Sequence, residues 1–407
     1  MERYAGHTHK LIPVRRTPGA DRNIAVPDQA FSHTSKFLLG CVCVALLFTA
    51  LVAQPLEAKV ISRYAYVVDP GAGQILEFSI NPVSGALAPI KGCASTADPN
   101  GPSAAIVDKT GSFLYVANTA ANNIWVYAIN PATGCLVTSP APASYPTGGT
   151  GPIAMDIAAH DGILFVSDSG SGQIDAFTIT NGVLARIAGS PFTACTNPAG
   201  IAVDLIESYV YLASNVSSNG SDSGTGTICA FAYSLSGKQW MSGPTAYATT
   251  GAYPTRVVFD SVGQFLYVTN SGASTVESFS VGTTGVLTVI NTVATGTSPA
   301  GVGVNPFGQG VYVANNGANS ISSFQIGLPP AYGSLSVNGT AVATAGGGGP
   351  TGLTVDQTGK YVYVAESSGF ISGYSISAST GKLTAIKGSP WATTGTGTSP
   401  VAIAIQP

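Results

Sequence analysis

Charge is scarce in this 407-residue chain. Asp, Glu, Lys and Arg together make up 9% of it, against about a quarter in an ordinary soluble domain, so a charge that breaks a repeated pattern stands out. Arg256 falls two residues after Pro254, at a spacing where other copies of the same local pattern carry Ala104, Ala154, Gly200, Gly301, Gly352 and Ala402. Two positions further on, Asp156 is the only charge among Ile106, Ala202, Val258, Gly303, Thr354 and Ala404. A third set of equivalent positions reads Asp69, Asn118, Asp168, Ser214, Asn270, Asn315 and Glu366. An isolated guanidinium can polarise a carbonyl or grip a carboxylate, and an acidic neighbour can activate water. Arg256, Asp156 and Glu366 are therefore the candidate catalytic groups, and Asp69, Asp168, Asn118, Asn270 and Asn315 the candidate ligand-binding ones. Two carboxylates brought together, as Asp69 and Glu366 would be if their copies adjoin, can hold Ca²⁺ or share a proton. The plainer alternative is ion pairs lining the interior for the charges and side-chain caps on turns for the Asn and Ser members.

The elements that must position these groups come from a repeat. Gly85, Gly134, Gly182, Gly237, Gly285, Gly333 and Gly381 recur at intervals of 49, 48, 55, 48, 48 and 48 residues, the mark of one supersecondary unit used seven times. Each unit carries an aromatic-aliphatic run such as Tyr115-Val116-Ala117 or Tyr312-Val313-Ala314, and a second run such as Ile124 with Tyr127 or Ile321 with Phe324. The periodic Gly then makes a tight turn into a short outer strand. Before the aromatic run lies a strand opened by proline, at Pro102, Pro152, Pro198, Pro254, Pro299 and Pro350. Four short antiparallel strands per 48 residues make the blade of a β-propeller, an all-β ring that hides its sheet edges by radial repetition. The first unit lacks the proline-opened strand, while Pro400-Val401-Ala402-Ile403-Ala404-Ile405 is an orphan copy of it. The C-terminal strand is thus expected to complete blade one and to fix the count at seven. Asp108, Asp204, Asp260 and Asp356 all fall at the turn after the inner strand; a feature repeated so faithfully belongs to the architecture.

The runs Leu114-Tyr115-Val116-Ala117-Asn118, Leu266-Tyr267-Val268-Thr269-Asn270 and Val311-Tyr312-Val313-Ala314-Asn315 resemble the YVTN-type repeat, as do Gly189-Ser190-Pro191 and Gly388-Ser389-Pro390. Over residues 60–407 the chain is similar to the lactonase-like seven-bladed propellers, a group that includes propeller-type 6-phosphogluconolactonases and muconate cycloisomerases. That resemblance implies the fold. It implies activity far less, because the repeated residues build blades. The muconate-type members use a His, Arg and Glu constellation that this sequence does not supply in full.

Residues 1–36 form a basic region with six Lys or Arg, and residues 37–53 an apolar run of 17. Residues 37–58 read as a secretion leader, with an uncleaved signal anchor over residues 37–56 as the alternative and the only route to a membrane; residues 59–407 form the propeller. The expected location is extracytoplasmic, periplasmic or secreted. Cys93, Cys135, Cys195 and Cys229 remain beyond the leader, and their register in the repeat predicts Cys93 with Cys135 and Cys195 with Cys229 as staples between neighbouring blades, with buried free thiols as the alternative. No C-x-x-C pair occurs and His160 is the sole histidine of the propeller, so no metal site or cofactor is expected apart from the Ca²⁺ option above. His160 reads as a turn residue. Ten Lys or Arg against fifteen Asp or Glu beyond residue 58, with the cations scattered singly, argue against nucleic acid.

Two functions remain open: a monomeric exported binding or scaffold module for an envelope glycan, a protein or a small lactone, and a hydrolase opening a sugar or organic-acid lactone. Three arginines beyond the leader, Arg63, Arg186 and Arg256, make a poor phosphate clamp.

Overall fold

The computed structural model describes residues 63–407 except residues 94, 159–161, 206–207, 216–225, 235–238, 241–244, 249–250 and 394–396. The leader reading of residues 1–58, His160 and Gly237 lie outside the described residues. What is described is seven small antiparallel sheets, one per repeat. Blade one comprises Arg63–Asp69, Gln74–Ile80 and the outer pieces Leu87–Pro89 and Thr96–Ala97, and its innermost strand is Ala402–Ile405. Ala65 pairs with Ile405 and Val68 with Ala402, so the orphan strand closes the ring as its sequence anticipates. Arg63, at the start of blade one, forms an ion pair of 2.8 Å with Asp356 in blade seven.

The period itself has a physical cause. The central aromatic of the second strand is fully buried in every blade, and in four of them its hydroxyl donates to the carbonyl of the periodic Gly in the next blade. These bonds run from Tyr66 to Gly134 at 2.8 Å, Tyr211 to Gly285 at 2.9 Å, Tyr312 to Gly381 at 2.9 Å and, across the closure, Tyr363 to Gly85 at 2.7 Å. Gly85 has φ +72°, and a Cβ there would meet the Tyr361 ring at 2.4 Å. No side chain fits where the turn must take positive φ and an aromatic ring must lie on it.

The outer strand differs from expectation. In six blades it is split into two short pieces that both run along the third strand; in blade five it is continuous over Leu287–Ala294. At two of the breaks the Gly-Ser-Pro turn supplies the cause, since proline has no N–H to offer the ladder. The serine takes over: Ser190 Oγ accepts the Ala176 N–H and Ser389 Oγ the Gly373 N–H, each at 2.9 Å. Two disulfides tie neighbouring blades, Cys93–Cys135 between one and two and Cys195–Cys229 between three and four, with Cα atoms 5.5 and 6.4 Å apart, in the pairing that the repeat register anticipates.

The inner strands of blades two to seven share one irregularity. Each carries a register shift just after its opening proline, Pro254/Arg256 in blade five and Pro152/Ala154 in blade three among them. A bulge turns the second residue after the proline toward the central channel. It frees the intervening residue to bond sideways: Ser103, Thr255 and Thr351 donate to the proline carbonyl of the next blade, at 2.8, 3.1 and 2.7 Å. The position that holds Arg256 is therefore built by the backbone of each blade and filled with a small side chain in all the others.

Candidate functional site

The second residues after the prolines wall the central channel. Ala104, Ala154, Gly301, Gly352, Ala402 and Arg256 line a cavity of about 220 Å³. At the end where inner strands begin it meets a wider mouth of about 490 Å³, walled by Pro70, Pro102, Ala120, Ile153 and Val401. Arg256 borders both cavities, standing between mouth and channel. Gly200 makes this possible, because a Cβ there would lie 2.9 Å from the Arg256 Cα. The close approach lets Arg256 Nη1 donate to the Ala199 carbonyl at 2.8 Å.

Among the described residues that is the one hydrogen bond of the guanidinium, and no carboxylate lies within ion-pair distance of Arg256. Burial alone pushes its pKa down. A half-buried cation with one neutral partner retains most of its five donors for something else, and an uncompensated charge away from water is costly.

The carboxylates of Asp156, Glu366 and Asp69 accept hydrogen bonds from the protein. Asp156 is half-buried, with Oδ1 accepting the Ile157 N–H and Oδ2 the Val203 N–H of blade four, both at 2.8 Å. Burial raises its pKa to about 6, against the pull of those two amides. Glu366 is fully buried; it accepts from Ser372 Oγ and from the N–H groups of Gly346 and Gly348 at 3.2 and 3.3 Å, holding the glycine-rich loop over blade seven. Asp69 Oδ1 accepts the N–H groups of Ala72 at 3.2 Å and Ser399 at 2.7 Å. Asp69 and Glu366 thus each hold their own connections rather than each other, and neither borders the cavities at Arg256.

The remaining members of that set are also buried. Asn270 Nδ2 donates to Glu277 at 2.9 Å, and Asn315 Nδ2 to Ser322 Oγ at 3.0 Å. The Asn118 amide, oriented to donate, reaches both Asp98 oxygens at 3.2 Å. In blade three the pattern is charged. Asp175, fully buried, takes an ion pair from Arg186, a hydrogen bond from Ser190 Oγ at 3.0 Å and the Gly148 N–H at 2.7 Å. Asp168 beside it is pushed up to about 9, by burial first and then by Asp175, so it is a neutral acid that hydrogen-bonds to the Asp175 carboxylate. Sequence reasoning passed over Asp175 and counted Arg186 only as one of three scattered arginines beyond the leader. The available signal was the recurrence of polar residues seven positions after the end of the second strand, as in Asp168 with Asp175, Asn270 with Glu277 and Asn315 with Ser322.

Among the described residues, one group of three side chains has metal-ligating geometry: Glu77 with Cys93 and Cys135, whose two sulfurs are joined in a disulfide. None of the candidate carboxylates belongs to such a group.

Residues 56–193 and 220–396 match a family model described as Lactonase, 7-bladed beta-propeller. No curated protein matches the chain. Among solved structures, a putative 6-phosphogluconolactonase from Bacteroides fragilis is similar at TM-score 0.69 and 19% identity, over 86% of this chain and 99% of that one. The periplasmic gluconolactonase of Pseudomonas aeruginosa is similar at TM-score 0.67 and 16% identity, over 85% and 99%. A putative 6-phosphogluconolactonase from Bacteroides uniformis gives TM-score 0.67 and 19% identity, over 85% and 99%. At such identities the likeness is one of fold.

Proposed function

The chain belongs to the lactonase family of seven-bladed β-propellers, and from that premise we propose that it is an exported binding propeller that holds a small organic carboxylate at Arg256, where the mouth meets the channel. One observation carries this reading: a cation on the channel wall with a single backbone partner and no counter-charge among the described residues. A carboxylate would form the paired N–H···O contacts that the planar guanidinium favours, and would relieve the cost of the lone charge.

Binding is favoured over turnover by what surrounds that cation. Among the described residues no Asp, Glu, His, Lys or Cys lines either cavity, so none of them stands ready there to take a proton from water. The family's description supports hydrolysis of a lactone as the second reading. In it Arg256 would polarise the lactone carbonyl, but Asp156, the inner-strand carboxylate, is already committed to two amides. Export is supported by the leader-like segment and by the two disulfides, which persist in oxidising compartments.

The test is calorimetry with a panel of carboxylates and their lactones on the purified protein and on Arg256→Met, with hydrolysis followed in parallel. The expected result is carboxylate binding that weakens at least tenfold in the variant, with lactone hydrolysis at background. Binding equal in both proteins, or none, removes this reading; lactone turnover lost in the variant puts the hydrolase in its place.

A further inference from the structure

Resting on the carboxylate reading above, we propose that the ligand's body is apolar: a monocarboxylate bearing a hydrocarbon chain or ring, not a polyhydroxylated sugar acid. The mouth above Arg256 has a volume of about 490 Å³, and the side chains of Pro70, Pro102, Ala120, Ile153 and Val401 supply its walls. Three hydroxyls also border it, and each has given its proton away. Ser103 Oγ donates to the Pro152 carbonyl at 2.8 Å, Thr119 Oγ1 to the same carbonyl at 2.7 Å and Thr351 Oγ1 to the Pro400 carbonyl at 2.7 Å. These bonds clasp neighbouring blades, so turning a hydroxyl toward a ligand would undo a tie within the ring.

Such a wall discriminates by chemistry. A sugar acid entering it must shed water from several hydroxyls and finds one cation and no free donor besides it, and unpaired polar groups are the ones that desolvation penalises most. A hydrocarbon body finds partners everywhere along the wall, and each CH₂ taken from water tightens binding roughly three- to fourfold. The narrower space below Arg256, about 220 Å³ and lined by Ala and Gly, leaves the mouth as the place for the body. A doubly charged phosphate would need a second cation, and among the described residues Arg256 is the one cation on either cavity.

The experiment is a calorimetric series of butanoate, hexanoate and octanoate beside gluconate and glucuronate, on the protein, on Arg256→Met and on Ile153→Asn. Affinity is expected to rise roughly three- to fourfold per CH₂, with hexanoate at least tenfold tighter than gluconate. All carboxylates should weaken at least tenfold in Arg256→Met. Ile153→Asn should flatten the chain-length series while leaving butanoate nearly unchanged. Gluconate binding as tightly as hexanoate, and lost in Arg256→Met, overturns the apolar body and leaves the carboxylate reading standing. So does a chain-length series unaltered by Ile153→Asn. Failure of every acid to bind, or indifference to Arg256, overturns both.

Discussion

Arg256 and Asp156 sit on the inner strands of blades five and three, and each is the one charge at its position round the ring. Their surroundings separate them. Asp156 gives one oxygen to its own strand and the other to blade four, so its charge is answered by backbone dipoles and ties two blades together. Arg256 offers a single bond to Ala199 and keeps the rest of its donors. Equivalent positions on one scaffold can hold a charge that builds the ring and a charge that awaits a ligand. What distinguishes them is whether the backbone has already satisfied the group. Asp175 in blade three is the extreme of the first kind, with Arg186, Ser190 and Gly148 all turned to it.

The comparison breaks most visibly at Asp175. Asp175→Ala strips Ser190 Oγ and the Gly148 N–H of their acceptor and the exposed Arg186 of its ion-pair partner; it should cost about 1.5–3 kcal/mol, read as a lower denaturant midpoint, and a loss under about 1 kcal/mol would show that the network is idle. Asp156 should make stability depend on pH. Its folded pKa of about 6 lies above the unfolded value near 4, so the folded state binds the extra proton between those values. The Asp156 contribution to stability therefore falls by about 2–3 kcal/mol as pH rises from about 4 to 6. Denaturation at pH 4 and 6 should show a fall steeper by that amount in the parent than in Asp156→Asn. A smaller effect is expected at Asp168, whose acid is neutral at pH 7: Asp168→Asn keeps a donor toward Asp175 and should cost less than about 1 kcal/mol. Arg256→Met should do least to the fold, leaving stability unchanged within about 0.5 kcal/mol or raising it, while removing ligand binding. A large loss of stability there would move Arg256 into the same class as Asp156.

How much of this could be read from the residues follows the same division. Blade count, closure by residues 402–405 and both disulfide pairs were legible because each depends on register, and register is visible wherever a pattern repeats. Arg256 was legible as an outlier for the same reason. The split outer strand was not, because proline and serine exchange ladder bonds there in a way that only the third strand reveals. Nor were the donors that Asp69 and Glu366 take. Adjacent blades bring the two residues to the same closure, but the loop amides 346, 348 and 399 that donate to them lie elsewhere in the chain. Sequence shows which groups are unusual; their saturation is decided by backbone that lies far away along the chain.

The strand that completes blade one has a consequence for how the protein is made. Ala65 lies along Ile405, so the second strand of blade one emerges from the ribosome long before its inner neighbour exists. Until residues 402–405 arrive, that strand presents an open row of N–H and C=O groups with the apolar Ala65, Val67 and Val68 beside it, a template for pairing with another chain. Ring closure must wait for residues 402–405, and the interval before they arrive is when the nascent chain is most exposed to aggregation.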